Sequence, residues 1–119
     1  MAKILIVDDS PVDIQNLQNI LVDAGHLVSL ANSGADGVAK AKANLPDVIM
    51  MDVNMPGLDG FSAARQLMQN TATKAIPIIF VTGKDQKADR VFAQMLGAKG
   101  FVTKPYTASQ ILAQLEVIR

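Results

Sequence analysis

Runs of consecutive apolar residues alternate along this chain with stretches in which apolar residues recur every three or four positions. The runs are Ile4–Val7, Leu27–Leu30, Val48–Met51, Ile78–Val81 and, more weakly, Gly100–Thr103. Short runs without polar interruption, such as the first, third and fourth, are what strands covered on both faces of a parallel sheet require. Between them the spacing is helical. Ile14, Leu17, Ile20 and Leu21 mark a first helix, opened by Ser10 as N-cap with Pro11 in the first turn and ended by Gly25. Ser33 caps a second helix containing Val38 and Ala41. A third runs from about Asp59 to Asn70, with Phe61, Ala64, Leu67 and Met68 apolar. A fourth carries Val91, Phe92, Met95 and Leu96 before Gly97, and a last carries Ile111, Leu112, Leu115 and Ile118 after a cap at Thr107 or Ser109.

Strands and helices that alternate through short connections predict an α/β fold with a doubly wound parallel sheet, helices on both faces. With five strands the favoured order is flavodoxin-like, 2-1-3-4-5. The chain has 119 residues, which fits a single domain spanning 1–119 and leaves nothing over for an output domain. It contains no internal repeat, low-complexity tract or linker.

Composition narrows the functional classes. Cysteine is absent, which removes thiol catalysis, thiolate metal sites and disulfides. Formal net charge is zero and no basic cluster stands out, so the electrostatic footprint of a nucleic-acid binder is missing. The first apolar run is too short for a signal peptide or a membrane span and ends in two aspartates. No membrane insertion and a cytoplasmic location are the expectations.

The chemistry lies at the strand ends. Asp8 and Asp9 close the first run, Asp52 closes the third, Thr82-Gly83 the fourth and Lys104-Pro105 the fifth. Open α/β sheets bind ligands beyond the carboxyl ends of their strands, at the point where strand order reverses. Strands one and three adjoin there, so Asp8, Asp9 and Asp52 converge. Three such carboxylates repel one another unless a cation neutralises them. Hard oxygen donors with room for water suit Mg²⁺, which points to phosphate. Each residue then has a part in moving a phosphoryl group onto a carboxylate. Asp52 is the nucleophile, forming an acyl phosphate. Asp9 and Asp52 bind Mg²⁺ directly, and Asp8 does so directly or through water. Lys104 offsets charge on the phosphoryl oxygens, Thr82 hydrogen-bonds one of them, and Gly83 leaves the approach open.

These fragments, in this order and spacing, resemble a response-regulator receiver domain of the CheY-like, stand-alone kind. The matching text is Ile-Leu-Ile-Val-Asp8-Asp9-Ser, Met51-Asp52-Val-Asn-Met-Pro56-Gly57-Leu-Asp-Gly60, Thr82-Gly83 and Lys104-Pro105. The resemblance covers essentially the whole chain. It implies two-component signalling, with phosphotransfer from a histidine kinase or phosphotransfer protein to Asp52 and a requirement for Mg²⁺. It implies that the backbone carbonyl of Asn54 is a further metal ligand and that Lys104-Pro105 is a cis peptide. It makes Thr82 and Phe101 the switch pair, Phe101 moving inward by burial alone because it lacks a hydroxyl. Asn54 and Lys84 take the positions that tune phosphoryl lifetime; Lys84 either holds an anion near the site or faces solvent. The implied output is a protein bound through the face of helix 4, strand 5 and helix 5, with the domain a monomer or weak homodimer. Ala75-Ile76-Pro77-Ile78 and Thr82-Gly83-Lys84-Asp85-Gln86 are most similar to small regulators of twitching motility, which makes chemotaxis or type IV pilus machinery the expected context. Such a protein catalyses its own aspartyl phosphorylation and dephosphorylation but is primarily a switch.

Blander readings compete. A lone strand-end Asp is often a turn former or cap, and Asp36, Asp47 and Asp59 are assigned to such duties. His26 lies in a short turn and is expected to be exposed. Met50, Met51, Met68 and Met95 fall on core periodicity and are expected to fill space. Thr82-Gly83-Lys84-Asp85 fails as a phosphate-binding loop, which needs Gly where Ile78 stands and Ser or Thr where Asp85 stands. Two functional alternatives remain. One is a phosphate sink that drains a shared kinase. The other is a phosphatase with an Asp nucleophile, disfavoured because Asp8 and Asp9 are adjacent rather than two residues apart.

Overall fold

The structure is a computed structural model, and it describes residues 1–118. The elements alternate in chain order: β1 (Lys3–Val7), α1 (Pro11–Asp23), β2 (Leu27–Ala31), α2 (Gly34–Asn44), β3 (Val48–Met51), α3 (Gly60–Gln69), β4 (Ile78–Thr82), α4 (Lys87–Met95), β5 (Gly100–Thr103) and α5 (Ala108–Val117). The strands form one parallel sheet in the order β2-β1-β3-β4-β5. This is the doubly wound, flavodoxin-like arrangement the apolar runs predict.

The sheet separates two apolar layers, and strand alternation decides which side chains enter each. Leu5, Val7, Ile49, Met51, Ile78 and Phe80 face one way and meet Val38 and Ala41 of α2, Ala63, Ala64 and Leu67 of α3 and Ala93 of α4. Ile4, Ile6, Val48, Met50, Ile79 and Val81 face the other way and meet Leu17 and Leu21 of α1 and Ile111 and Leu115 of α5. The central strands are therefore covered on both sides, which is why they read as unbroken apolar runs.

The helix starts follow local chemistry. Ser10, Ser33, Asp59 and Thr107 each accept a hydrogen bond from a first-turn N–H of the helix they cap. Asp47 accepts from the Lys3 N–H at 2.8 Å, and Asp36 pairs with Lys40, so the acids read as structural are structural.

Two expectations fail. Met95 does not fill the core: it is 77% exposed, with Val91 beside it at 47%. The apolar positions of α4 span more of its circumference than the sheet covers, so the surplus faces solvent. His26 is not fully exposed. Its half-buried Nδ1 accepts the Ala2 N–H at 3.0 Å, tying the chain's start to the entry of β2.

Candidate functional site

Register brings the strand ends together. Val7 of β1 pairs with both Ala31 and Met51, so Asp8 and Asp52 leave adjacent strands at the same level. The Asp8 N–H donates to the Ala31 carbonyl and the Asp52 N–H to the Val7 carbonyl, which carries the ladder one residue past the strands. At the other edge Thr82 pairs with Thr103, and the Lys104 N–H donates to the Thr82 carbonyl at 2.9 Å. The Lys104-Pro105 peptide is cis.

Lys104 is the hub. Its Nζ lies 2.8 Å from Asp8 Oδ2, 3.0 Å from Asp52 Oδ2 and 2.8 Å from Asp13 Oδ2. Asp8 and Asp52 are almost wholly buried, while Asp9 stands exposed beside them. The second oxygens of the buried pair are also held: Asp8 Oδ1 accepts the Ser10 N–H at 3.0 Å and Asp52 Oδ1 the Val53 N–H at 2.7 Å. Electrostatics follow from this packing. Burial pushes the Asp8 carboxyl above its ordinary value, an effect reduced by hydrogen bonds from Lys104 and Ser10 and reinforced by the charge of Asp52. Burial works against the Lys104 ammonium, but the carboxylates of Asp13, Asp8 and Asp52 overcome it and raise its pKa. The lysine is a fixed positive charge.

Asp8, Asp9 and Asp52 each offer an oxygen, all within 4.8 Å of one another. Three hard oxygen donors, one of them on the solvent side with room for water, fit Mg²⁺. Each carboxylate oxygen has lone pairs beyond those its present partners use, so the donor set remains suited to a metal beside the lysine.

The other expected site residues lie on neighbouring strands and loops. Thr82 is wholly buried and its Oγ1 accepts the Lys84 N–H at 3.1 Å. Asn54 is exposed in the loop after β3, two residues from Asp52. Lys84 leans on α4, its Nζ 3.5 Å from Asp89 Oδ1. The Phe101 ring is half-buried, 6.4 Å from the Phe80 ring centroid on one side, and the Arg90 guanidinium lies over it at 4.8 Å on the other. Gly60 holds the loop tight: its N–H donates to the Val53 carbonyl, and a Cβ there would collide with the Asp52 carbonyl oxygen.

Sequence reading missed Asp13 and Arg90. Asp13 carries a signal, its place in the first turn of the helix that follows β1, directly over the sheet edge. Arg90 carries none beyond its exposure on α4, since its stacking on Phe101 depends on how α4 sits against β5.

Fold and site together define a class, the flavodoxin-like signalling domains whose chemistry sits where strand order reverses. The chain belongs to the response regulator receiver domain family, which residues 4–116 match, and is thus a response regulator of two-component signalling. It is 47% identical to Protein PilH of Pseudomonas aeruginosa over 118 residues, covering 99% of this chain and 98% of that protein. It is 37% identical to Response regulator PleD of Caulobacter vibrioides, covering 96% of this chain but only 25% of that longer protein. Among solved structures, chemotaxis protein CheY4 of Vibrio cholerae superposes with a TM-score of 0.93 at 34% identity, covering 100% of this chain and 99% of that one. Membership implies a kinase or phosphotransfer partner upstream and an output partner downstream. Among the described residues no helix is long and apolar enough to cross a membrane.

Proposed function

We propose that this receiver domain accepts a phosphoryl group on Asp52 and passes the signal on by binding another protein. The observation that carries this reading is the position of the Lys104 ammonium, 3.0 Å from an Asp52 oxygen, with Asp8 and Asp9 close enough to share a cation with that same carboxylate.

The residues divide the work. An Asp52 carboxylate oxygen attacks phosphorus of a phosphohistidine or small acyl phosphate, and the bond from phosphorus to the leaving group breaks with its electron pair going to that group. Asp8, Asp9, Asp52 and the Asn54 carbonyl would hold Mg²⁺, which would supply positive charge to the transferring phosphoryl oxygens. Lys104 supplies the second positive charge from the β5 side and moves no proton. Thr82 turns its hydroxyl to the phosphoryl group once it is in place. Phe101 follows Thr82 inward, leaving the Arg90 guanidinium and changing the surface of α4, β5 and α5. Asn54 and Lys84 set the lifetime by controlling approach to the acyl phosphate.

The exposed Val91 and Met95 favour an output partner over a phosphate sink, because they leave apolar surface in water on α4, the helix whose Arg90 stacks on the switch residue Phe101. The likeness to PilH and to CheY4 supports a partner in pilus or chemotaxis machinery; in this reading the protein acts in the cytoplasm as a monomer or weak dimer.

Intact-mass spectrometry after incubation with acetyl phosphate tests the reading. One phosphoryl adduct is expected with Mg²⁺, none without it, and none in Asp52→Asn. An adduct that persists in Asp52→Asn overturns the assignment of the acceptor, and no adduct from any phosphodonor overturns the mechanism.

A further inference from the structure

An ammonium group has three N–H donors, and around Lys104 there are three carboxylates within hydrogen-bond distance. Two of them, Asp8 and Asp52, belong to the buried cluster that can hold a cation. The third, Asp13, does not: its oxygens lie outside that cluster and its side chain is 41% exposed, against 7% and 10% for Asp8 and Asp52. Lys104 therefore bridges the inner acids to an outer one on a different element.

Asp13 is free for this because of how α1 begins. It is the third residue of the helix, and its N–H donates to the Ser10 hydroxyl. An acid at that position ordinarily reaches back to the N–H of the cap residue, as Asp89 does at the start of α4, where it accepts from Gln86 at 3.1 Å. In α1 that donor is already taken, since the Ser10 N–H goes to Asp8. The Asp13 carboxylate is released from capping and its backbone is pinned by the cap, so it points a fixed negative charge at Lys104.

We propose that Asp13 is a positioning residue for phosphoryl transfer, an outer anchor that shares Lys104 with the Asp8 and Asp52 oxygens a divalent cation must use, and keeps the ammonium in the site once that cation is bound. This rests on the reading of Asp52 as acceptor and of Asp8, Asp9 and Asp52 as cation ligands. Cation and lysine draw on the same two carboxylates, Asp8 and Asp52. With Asp13 present the lysine gives up its inner bonds and still has a partner; without it the lysine stays on Asp8 and Asp52. A bland alternative exists, that Asp13 is a first-turn acid favoured by the helix dipole and adds only bulk negative charge.

A double-mutant cycle separates the two. Mg²⁺ affinity is measured by following backbone amide NMR shifts in titrations with Mg²⁺ alone, in the wild type, Asp13→Asn, Lys104→Met and the double variant. Asp13→Asn is expected to weaken Mg²⁺ binding by roughly fivefold when Lys104 is present and by less than twofold in the Lys104→Met background, a difference of the size found for groups in direct contact. Asp13→Glu, which restores the carboxylate, is expected to recover most of the affinity, and the rate of adduct formation from acetyl phosphate at saturating Mg²⁺ should fall in Asp13→Asn and return in Asp13→Glu. Equal weakening in both backgrounds reduces Asp13 to bulk charge and overturns the proposal, as does an unchanged affinity. Failure of the wild type itself to form an adduct strikes the acceptor reading instead, and the metal-binding cycle still decides what Asp13 does to Lys104.

Discussion

Replacing Lys104 by methionine keeps the length and apolar stem of the side chain and removes only the ammonium. What remains is Asp8 and Asp52, buried side by side with no positive charge between them. A single pair at about 3 Å carries roughly 5 kcal/mol of raw attraction at an effective dielectric near 20, and desolvation of the ions cancels most of it. The relevant quantity is the cost of leaving the acids unpaired, about 3–5 kcal/mol for a fully buried pair. The site is not sealed: the Lys104 side chain keeps 18% of its exposure and Asp13 41%, so water takes up part of the loss. A destabilisation of about 2 kcal/mol in metal-free buffer is the resulting expectation. For a chain of this size that lowers Tm by roughly 6–10 °C.

The second half of the prediction concerns Mg²⁺. Lysine and cation draw on the same carboxylates, those of Asp8 and Asp52, so the variant binds Mg²⁺ more tightly than the wild type. Free cation at about ten times the dissociation constant returns about 1.4 kcal/mol to whichever protein it binds, and at a fixed low concentration it returns more to the variant. Urea unfolding followed by far-ultraviolet circular dichroism, in chelator and then across a Mg²⁺ series, measures both effects. The gap between the two proteins should be widest in chelator and close as Mg²⁺ is added. If Lys104→Met unfolds at the wild-type urea concentration in chelator, or if Mg²⁺ stabilises the two proteins equally at every concentration, then the lysine does not hold these acids together and the reasoning is refuted.

Two further outcomes follow from the surroundings of the site. A Cβ at Gly60 meets the backbone of Asp52 and Val53, whereas one at Gly83 meets nothing within 4 Å; Gly60→Ala should cost about 1–3 kcal/mol by overpacking and slow phosphorylation by shifting Asp52, while Gly83→Ala should stay within about 0.5 kcal/mol of wild type, with urea midpoints deciding. The Arg90 hydrogen bond, aided by Thr103, holds the Asp85 carboxyl below its ordinary 3.8. A depressed acid contributes stability that is present above the unfolded value and lost as pH falls through the folded one, so the Arg90–Asp85 pair should persist until the pH drops below 3.8. Carboxyl ¹³C NMR should show Asp85 returning to its ordinary value in Arg90→Ala, and an unchanged titration there would deny the pairing.

Most of this architecture is legible in the sequence because one physical rule controls it. A strand covered on both faces has no polar positions, so Ile4–Val7, Val48–Met51 and Ile78–Val81 announce a parallel sheet with helices on both sides. Parallel strands then bring Asp8, Asp9, Asp52, Thr82 and Lys104 to one edge, wherever they lie along the chain. The misreadings come from elements whose surroundings depend on tertiary packing. Periodicity shows that α4 has an apolar face, but not that the sheet leaves Val91 and Met95 of that face in water. It shows His26 in a turn, but not that the Ala2 N–H lies within reach of its ring.

Asp13 is the harder case, because its contact with Lys104 joins residues 91 positions apart on a helix and a strand end. Its local pattern is misleading: Ser10 followed three residues later by an acid reads as a self-contained capping box, which would absorb the Asp13 carboxylate into the helix start. The clue lies two residues upstream. Asp8 also sits within reach of the Ser10 N–H, and one N–H cannot serve two carboxylates well. The strand-end acid is fixed by the sheet and the helical acid is not, so the strand-end acid takes the donor and the helical one is turned loose beside the site. Two acids competing for one cap at a strand's carboxyl end is thus a sequence pattern with a structural consequence, a surplus carboxylate at the sheet edge that needs a cation. In this fold the nearest fixed cation is the lysine that follows β5.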